Sequence, residues 1–576
     1  MVFLATTPLS IRDEHDTVLL GPWCLEGRGE VDLGTNRLID HRLVQLENKL
    51  LMNKEVRETV ERLLPHLGQR LNALHGQSHS DRYWRIICGR WLLGFADVLY
   101  QRWNLIDDAL TQFPIDRAGG SVLDHSTIAP RRSQDFAHQR ISHDWNTQVF
   151  TAILEHRKIA IDLFPRERTT GGAPVAAKRR LIKTVALSIW GLMARRSPVC
   201  IADSYFETRS ELALALSNRS LPVRLTRVIP STAKYSESKR EALKLSLAYG
   251  SSFEEFLFDN IHRWLPYSWV EDFSDLSEGP HTRQLPRNPR TIFTGNAHHS
   301  SDYFMIYMAS QAERGSRIVL SQHGGLYGEG EVRSRNEEHE LAIADTYVTW
   351  GWKDSAHNNI INGPNQISRL TSTKCLSREG GLLIVLDTTF RYSRYSWETR
   401  PERDLYLESC AVLHSALPSA IQKKSVVRLH HDHNRYDEGH EKFFKESQQV
   451  TFDDFSRPIE KSIAASRLVI VTTLSTTFIE NVSRGIPTLI YAQPEIYEVR
   501  TEYREIFDEL AKVGVFHESP ISAARWATSI WDGVERWWNS EPVQAAVNLY
   551  GRHFAGFPSE ERRTWQQILS GSSLKS

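Results

Sequence analysis

The chain has 576 residues, enough for more than one domain. Its 70 basic residues balance 70 acidic ones, which argues against a nucleic-acid partner bound through bulk positive charge. No run of 18 apolar residues exists to form a membrane-spanning helix. The five cysteines, Cys24, Cys88, Cys200, Cys375 and Cys410, have no close pair. They make neither a disulfide framework nor a zinc motif, and with no signal peptide visible in Met1 to Leu9 the expected location is cytoplasmic.

In chain order, Val2 to Ala5 and Thr17 to Leu20 read as the first strands of a sheet. Leu43 to Leu74 has helical spacing, and Leu74 to Phe95 crowds Trp84 and Trp91 into one helix-packing segment. Residues 105 to 195 read as mostly helical and polar. Within them, Ala176 to Arg196 is basic at both ends and apolar between, which fits a helix with solvated ends or peripheral contact with the inner face of the inner membrane. Strands follow at Val199 to Ala202, Thr291 to Thr294, Arg317 to Ser321 and Thr346 to Thr349. A second set lies at Leu382 to Leu386, Ser425 to Leu429, Leu468 to Val471 and Pro487 to Tyr491.

Such strand–helix–strand alternation predicts an α/β fold of parallel sheets, with sites at the carboxyl ends of the strands. The expected organisation is an N-terminal α/β domain over 1–352 with a helical insertion at about 43–285, and a linker over 353–380. A C-terminal α/β domain over 381–535 follows, and then helices over 536–576 that pack back on the N-terminal domain.

Several familiar motifs are missing. There is no Walker A loop, no G-x-G-x-x-G and no G-x-S-x-G elbow. No Asp-x-Asp pair is present to chelate a metal-bound nucleotide sugar, and His430, His431 and His433 lie on a strand end that would turn neighbours to opposite sides. The expectation is therefore no metal and no cofactor.

Two stretches carry chemistry. SQHGGLYGEG, Ser321 to Gly330, runs from a strand into Gln322, His323, Gly324, Gly325 and Tyr327. Glycines there let backbone approach a ligand beside an imidazole. Thr472, Thr473, Ser475, Thr476 and Thr477 follow a buried strand and lead into a helix that carries Glu480. Hydroxyls and unpaired N–H groups at a helix N-terminus suit a phosphate, and Glu480 could accept from a sugar hydroxyl. Arg428 and Arg500 are candidates for pairing with phosphate oxygens. His323 is the first choice of general base, with His298, His299 and Asp345 behind it.

Four blocks together resemble a known family: LLGPWCLEGR, LLPHLGQRLNALHGQSHSDRYWRIICGRWLL, SQHGGLYGEG with EEHELAIADTYVTWGW, and RLVIVTTLSTTFIENVSRGIPTLIYAQPEIYEVR with VGVFHESPISAARWATSIWDGVERWW. The chain is similar over about residues 1 to 555 to bacterial transferases of surface-carbohydrate biosynthesis, of the O-antigen or lipopolysaccharide type. The resemblance implies a GT-B-like glycosyltransferase with two Rossmann-like domains, acceptor-side over 1–352 and nucleotide-donor over 381–535. It would move a sugar from a nucleotide-activated donor to a growing glycan or lipid-linked glycan. More distantly, the His-Gly stretch and the hydroxyl loop look like transferases of CMP-linked sugars, Kdo or sialic-acid type, and like CDP-glycerol polymerases. In those families the histidine lies in the active site and the Ser/Thr loop holds the donor phosphate, which carries over here only to His323 and to Thr472–Glu480. Those families have Arg-Leu-Tyr-Pro where this chain reads Arg428-Leu429-His430-His431. A non-catalytic nucleotide-sugar or glycan-binding partner of an assembly complex is the alternative from another class.

Overall fold

The computed structural model describes residues 2–11, 16–26, 37–40, 46–165, 190–225, 233–366, 379–387, 389, 391–392, 403–430, 440–444, 450–494, 496–556 and 561–571. The chain divides into two compact units, Met1–Asp203 with Ala215–Ile318, and Ser204–Leu214 with Val319–Ser576.

The first unit holds a five-stranded parallel sheet. Its strands are β1 (Val2–Ala5), β2 (Asp16–Leu19), β3 (Arg37–Leu38), β4 (Ile115–Gly120) and β5 (Ala160–Leu163), in the order β3-β2-β1-β4-β5. Parallel neighbours need long crossovers. The longest, between β3 and β4, is a pair of packed helices, α1 (Leu46–His75) and α2 (Asp81–Gln112). Ser80 caps α2 by accepting from the Tyr83 amide at 3.2 Å. Trp84, Trp91, Phe95 and Trp103 bury most of the faces of α2, as expected of a helix apolar nearly all round. Helix α3 (His143–His156) joins β4 to β5.

The stretch 105–195, read as mostly helical, therefore contains two strands. β4 is IDRAGG, with two charges and two glycines, and it lacks the β-branched run that marks a strand. Its glycines serve close packing: a Cβ at Gly119 would lie 2.3 Å from the Ser10 Cβ. The first unit also holds the parallel pair β6 (Val199–Ala202) and β7 (Thr291–Thr294), both as expected, and α4 (Asp302–Glu313). The basic segment 176–196 lies outside the described residues as far as 189. No helix among the described residues is long and apolar enough to cross a membrane.

The second unit has β8 (Arg317–Ser321, cut by the unit boundary), β9 (Thr346–Thr349) and β10 (Ile360–Asn362) in parallel, with α5 (Arg335–Ile343) between β8 and β9. β10 falls in the segment read as linker; residues 367–378 of that segment are outside the described ones. A five-stranded parallel sheet follows: β11 (Gly381–Val385), β12 (Ser425–Arg428), β13 (Ser466–Val471), β14 (Thr488–Tyr491) and β15 (Phe516–His517), in the order β12-β11-β13-β14-β15. These strands are near-continuous Leu, Ile and Val because both faces are covered. Helices α6 (Arg403–Ser415) and α7 (Thr476–Ser483) belong to this sheet. Trp526, Trp531 and Trp537 pack against its core, and Trp538 is buried.

The last helices, α8 (Glu541–Phe554) and α9 (Glu561–Ser570), pack on residues 350–365. Gly556 N donates to Trp350 O at 2.7 Å, and Trp565 Nε1 donates to Pro364 O at 3.1 Å. Gly351 has φ +130, and a Cβ there would lie 2.2 Å from the Arg552 carbonyl oxygen. Cys24, Cys88, Cys200 and Cys410 are free and buried.

Candidate active site

Strand β8 delivers Gln322, His323, Gly324 and Gly325 at its carboxyl end. Gln322 is fully buried, and its side chain is a brace rather than a ligand contact. Its Oε1 accepts from Trp350 N at 3.1 Å and from Trp352 Nε1 at 2.8 Å. Its Nε2 donates to Gly324 O at 2.8 Å. The expected donor contact through Gln322 is therefore replaced by a structural role.

The glycines are required because this loop touches the hydroxyl loop. Gly325 N donates to Thr476 Oγ1 at 3.0 Å. A Cβ on Gly325 would stand 2.5 Å from the Ser475 carbonyl carbon, and one on Gly324 would stand 2.9 Å from Thr476 Oγ1. Backbone can come this close only without side chains.

The imidazole of His323 sits among rings and a buried carboxylate. Tyr205 lies parallel to it, with centroids 5.6 Å apart and planes 5° off. Tyr205 has φ +63, a conformation unusual outside glycine. The Tyr327 hydroxyl is 3.2 Å from His323 Nε2 and donates to Glu340 Oε1 at 3.3 Å. Glu340 is fully buried on α5, lies 3.7 Å from His323 Nδ1, and accepts from the Tyr347 hydroxyl at 2.8 Å. Burial and the adjacent carboxylate push the Tyr347 phenol well up, which keeps it a donor. A carboxylate behind an imidazole orients the ring and stabilises the imidazolium formed once it has taken a proton.

Two further buried carboxylates hold the loop. Leu326, at φ +73, donates its N–H to Glu329 Oε2 at 2.7 Å, and Tyr550 on α8 donates to Glu329 Oε1 at 2.5 Å. Burial pushes the Glu329 carboxyl up to about 7, opposed by the bonds from Tyr550 and Leu326 and reinforced by Glu337. Gly328 N donates to Glu337 Oε2 at 3.1 Å, and Arg500 Nη2 donates to Glu337 Oε1 at 3.2 Å. Arg500, weighed as a phosphate ligand, is thus a partner of Glu337.

The hydroxyl loop splits into two parts. Thr472 and Thr473 are buried. Thr472 Oγ1 donates to Val385 O at 3.0 Å, and Tyr406 bonds to the same hydroxyl. The Thr472 hydroxyl therefore serves the sheet rather than the donor. Ser475 is the N-cap of α7 but makes no side-chain cap bond, and its Oγ has no partner among the described residues. Thr476 and Thr477 occupy the first turn, where helix N–H groups lack partners and the dipole is positive. Glu480 is four residues beyond Thr476 on the same helical face, with its carboxylate 3.3 Å from Arg484.

Two other expected residues lie elsewhere. Arg428 ends β12 with its guanidinium occupied: Nη1 donates to Asp453 at 2.7 Å and to Ser462 at 3.2 Å, and Nη2 to Arg457 O at 3.2 Å. Asp345 is exposed and precedes β9. Because Val319 pairs with Thr346, Asp345 stands at the amino end of strands whose carboxyl ends carry His323. His298 and His299 are buried in the first unit, and burial holds the His298 imidazole down to about 3, so it stays neutral. His431 and His433 lie outside the described residues. Sequence reasoning gave no site role to Tyr205 or Glu329.

The family described as LIC12162 family transferase matches residues 2–569. The chain belongs to this family of transferases. No curated protein matches it in sequence. Among solved structures, Anabaena HepE in complex with UDP and glucose is 10% identical, with 65% of this chain and 98% of that one covered and a TM-score of 0.35. S. aureus MnaA with UDP is 10% identical, covering 64% and 94%, with a TM-score of 0.35. The wall teichoic acid polymerase TagF is 8% identical, covering 68% and 95%, with a TM-score of 0.33. Membership of the family makes the chain an enzyme of the transferase class.

Proposed function

We propose that this transferase is a GT-B-type glycosyltransferase that moves a sugar from a nucleotide-activated donor to a bacterial surface glycan. The observation that carries the reading is the bond from Gly325 N to Thr476 Oγ1, which holds the His323 loop on the N-terminus of α7. A base and an anion-binding helix end then share one contact.

In the reaction, His323 takes the proton from an acceptor hydroxyl as that oxygen bonds to the anomeric carbon. The bond from that carbon to the donor phosphate breaks, and the electron pair leaves on the phosphate oxygen. Developing charge there meets the Thr476 and Thr477 N–H groups and the α7 dipole. Glu340, held by Tyr327 and Tyr347, steadies the imidazolium that forms. Glu480 accepts from a donor sugar or ribose hydroxyl. No step calls for a metal, so transfer persists in EDTA.

The test is a thermal-shift series with CMP, CDP, UDP, GDP and dTDP, paired with transfer assays. One nucleotide class should stabilise both the wild-type and the His323→Ala protein, while only the wild type transfers. A cytidine-only response assigns a CMP-sugar or CDP-glycerol donor. No response to any nucleotide removes the donor reading.

A further inference from the structure

Beyond the carboxyl end of β6, the segment Ser204–Leu214 belongs to the second unit, and its first three residues are held in different ways. Ser204 is buried and donates from Oγ to the buried carboxylate of Glu211 at 2.8 Å. Phe206 donates its N–H to Ser204 Oγ at 3.4 Å. Its ring stands at 89° to that of the buried Trp565, with centroids 5.3 Å apart. Tyr205, between them, keeps 42% of its surface exposed and takes φ +63. That left-handed conformation costs a bulky side chain more than it costs glycine or asparagine. Strain on an outward ring between two anchored neighbours points to a role for the ring itself.

The ring lies against His323, its plane only 5° from that of the imidazole and the centroids 5.6 Å apart. Two rings in full overlap would have centroids about 3.5–4 Å apart. At 5.6 Å the pair is offset, so the imidazole covers one part of the phenol face and the rest of that face extends beside it. The face of a phenol carries the negative end of its quadrupole. It attracts the weakly positive C–H groups that make up the apolar face of a pyranose. A sugar laid there is level with the imidazole. Its equatorial hydroxyls then point along the plane of the imidazole, where the ring nitrogens make their hydrogen bonds.

We propose that Tyr205 is the platform on which the acceptor sugar stacks, and that this sugar is a neutral pyranose with an apolar C–H face. The platform presents an equatorial hydroxyl of the sugar to His323. This inference rests on the reading of His323 as the base, and adds to it the class of acceptor residue. Because Ser204 and Phe206 are anchored, the ring is in place before the acceptor arrives, which lowers the ordering cost of binding.

Saturation-transfer NMR on the full chain tests it, with the methyl β-glycosides of glucose, galactose and N-acetylglucosamine as probes at millimolar concentration. Two variants separate the ring from the backbone. Tyr205→Phe keeps the ring, and Tyr205→Asn removes it while tolerating the left-handed backbone. Wild type and Tyr205→Phe should bind at least one glycoside through its C–H face with affinities within about twofold of each other. Tyr205→Asn should bind it about three- to tenfold more weakly. Its melting temperature should not fall. Equal binding by all three proteins overturns the platform, as does a lack of signal from every glycoside. Loss of binding in Tyr205→Phe also overturns it, since the hydroxyl and not the face would then be the contact. A lower melting temperature in Tyr205→Asn assigns the ring to the fold instead. The nucleotide-induced thermal shift reads the donor separately and should be the same in all three proteins. Its absence, with glycoside binding retained, counts against the donor reading and leaves the platform standing.

Discussion

In the second unit, β8 and β12 both end in a polar residue suited to a ligand, yet only one of them is available. At β12, Arg428 donates to Asp453, Ser462 and Arg457, and its guanidinium lies 4.8 Å from the Phe455 ring centre. At β8, the donors and acceptors of Gln322 are consumed in bracing the loop, while the next residue, His323, is held among rings with a carboxylate behind it. The carboxyl end of a parallel strand is thus a place for a site and not a guarantee of one. What decides is whether neighbouring side chains have already satisfied the group.

The sharpest way to break the contrast is His323→Ala. Loss of a general base should lower transfer by about a hundred- to ten-thousand-fold with the nucleotide-induced thermal shift intact. Unimpaired transfer would put β8 in the same class as β12. Next comes Arg428→Ala, which strands the Asp453 carboxylate at a site where both side chains are under a tenth exposed, 9% and 8%. Urea unfolding should show a loss of about 3–5 kcal/mol, with activity per folded molecule unchanged. Weaker nucleotide binding without that instability would return Arg428 to the active site.

Glu329 sharpens the comparison through pH. Its folded value of about 7 lies above the ordinary 4.5. The native state therefore keeps a proton that the unfolded chain has lost, and stability falls as pH rises from about 4.5 to about 7. The 2.5-unit gap corresponds to about 3 kcal/mol, and Glu337, also raised by burial, acts in the same direction. Glu329→Gln should flatten this slope in unfolding curves taken at pH 5 and pH 8; an unchanged slope would assign it to other groups. The smallest effect separates the two parts of the hydroxyl loop. Thr472→Val should cost about 1 kcal/mol of stability with donor affinity intact. Thr476→Val should lower stability by a similar amount, because Gly325 N loses its acceptor, and should weaken the donor as well.

Much of this was legible in the amino-acid pattern. Val199–Ala202 and Thr291–Thr294 form strands with the bounds expected, because short buried apolar runs have few other uses. The His323 loop and the Ser475–Thr477 turn stand out by composition, and the structure brings them into contact. The strands Ile115–Gly120 and Ile360–Asn362 escaped notice because pairing, not propensity, makes them strands. Asp345 directly precedes the strand Thr346–Thr349, so the rule that sites lie at carboxyl ends already argued against it. Glu329 and Glu337 gave no signal, since carboxylates usually mark the surface and only tertiary contact reveals buried ones.

The bond between Glu329 and Tyr550 joins residues 221 positions apart. During synthesis the His323 loop emerges first, and its brace arrives only after those residues have been added, roughly 10–45 s later at ordinary elongation rates. Until then Leu326 has no Tyr550-anchored carboxylate to hold its left-handed turn. The nascent chain therefore passes through an interval in which the strands of the second unit have been made but the His323 loop still lacks this brace.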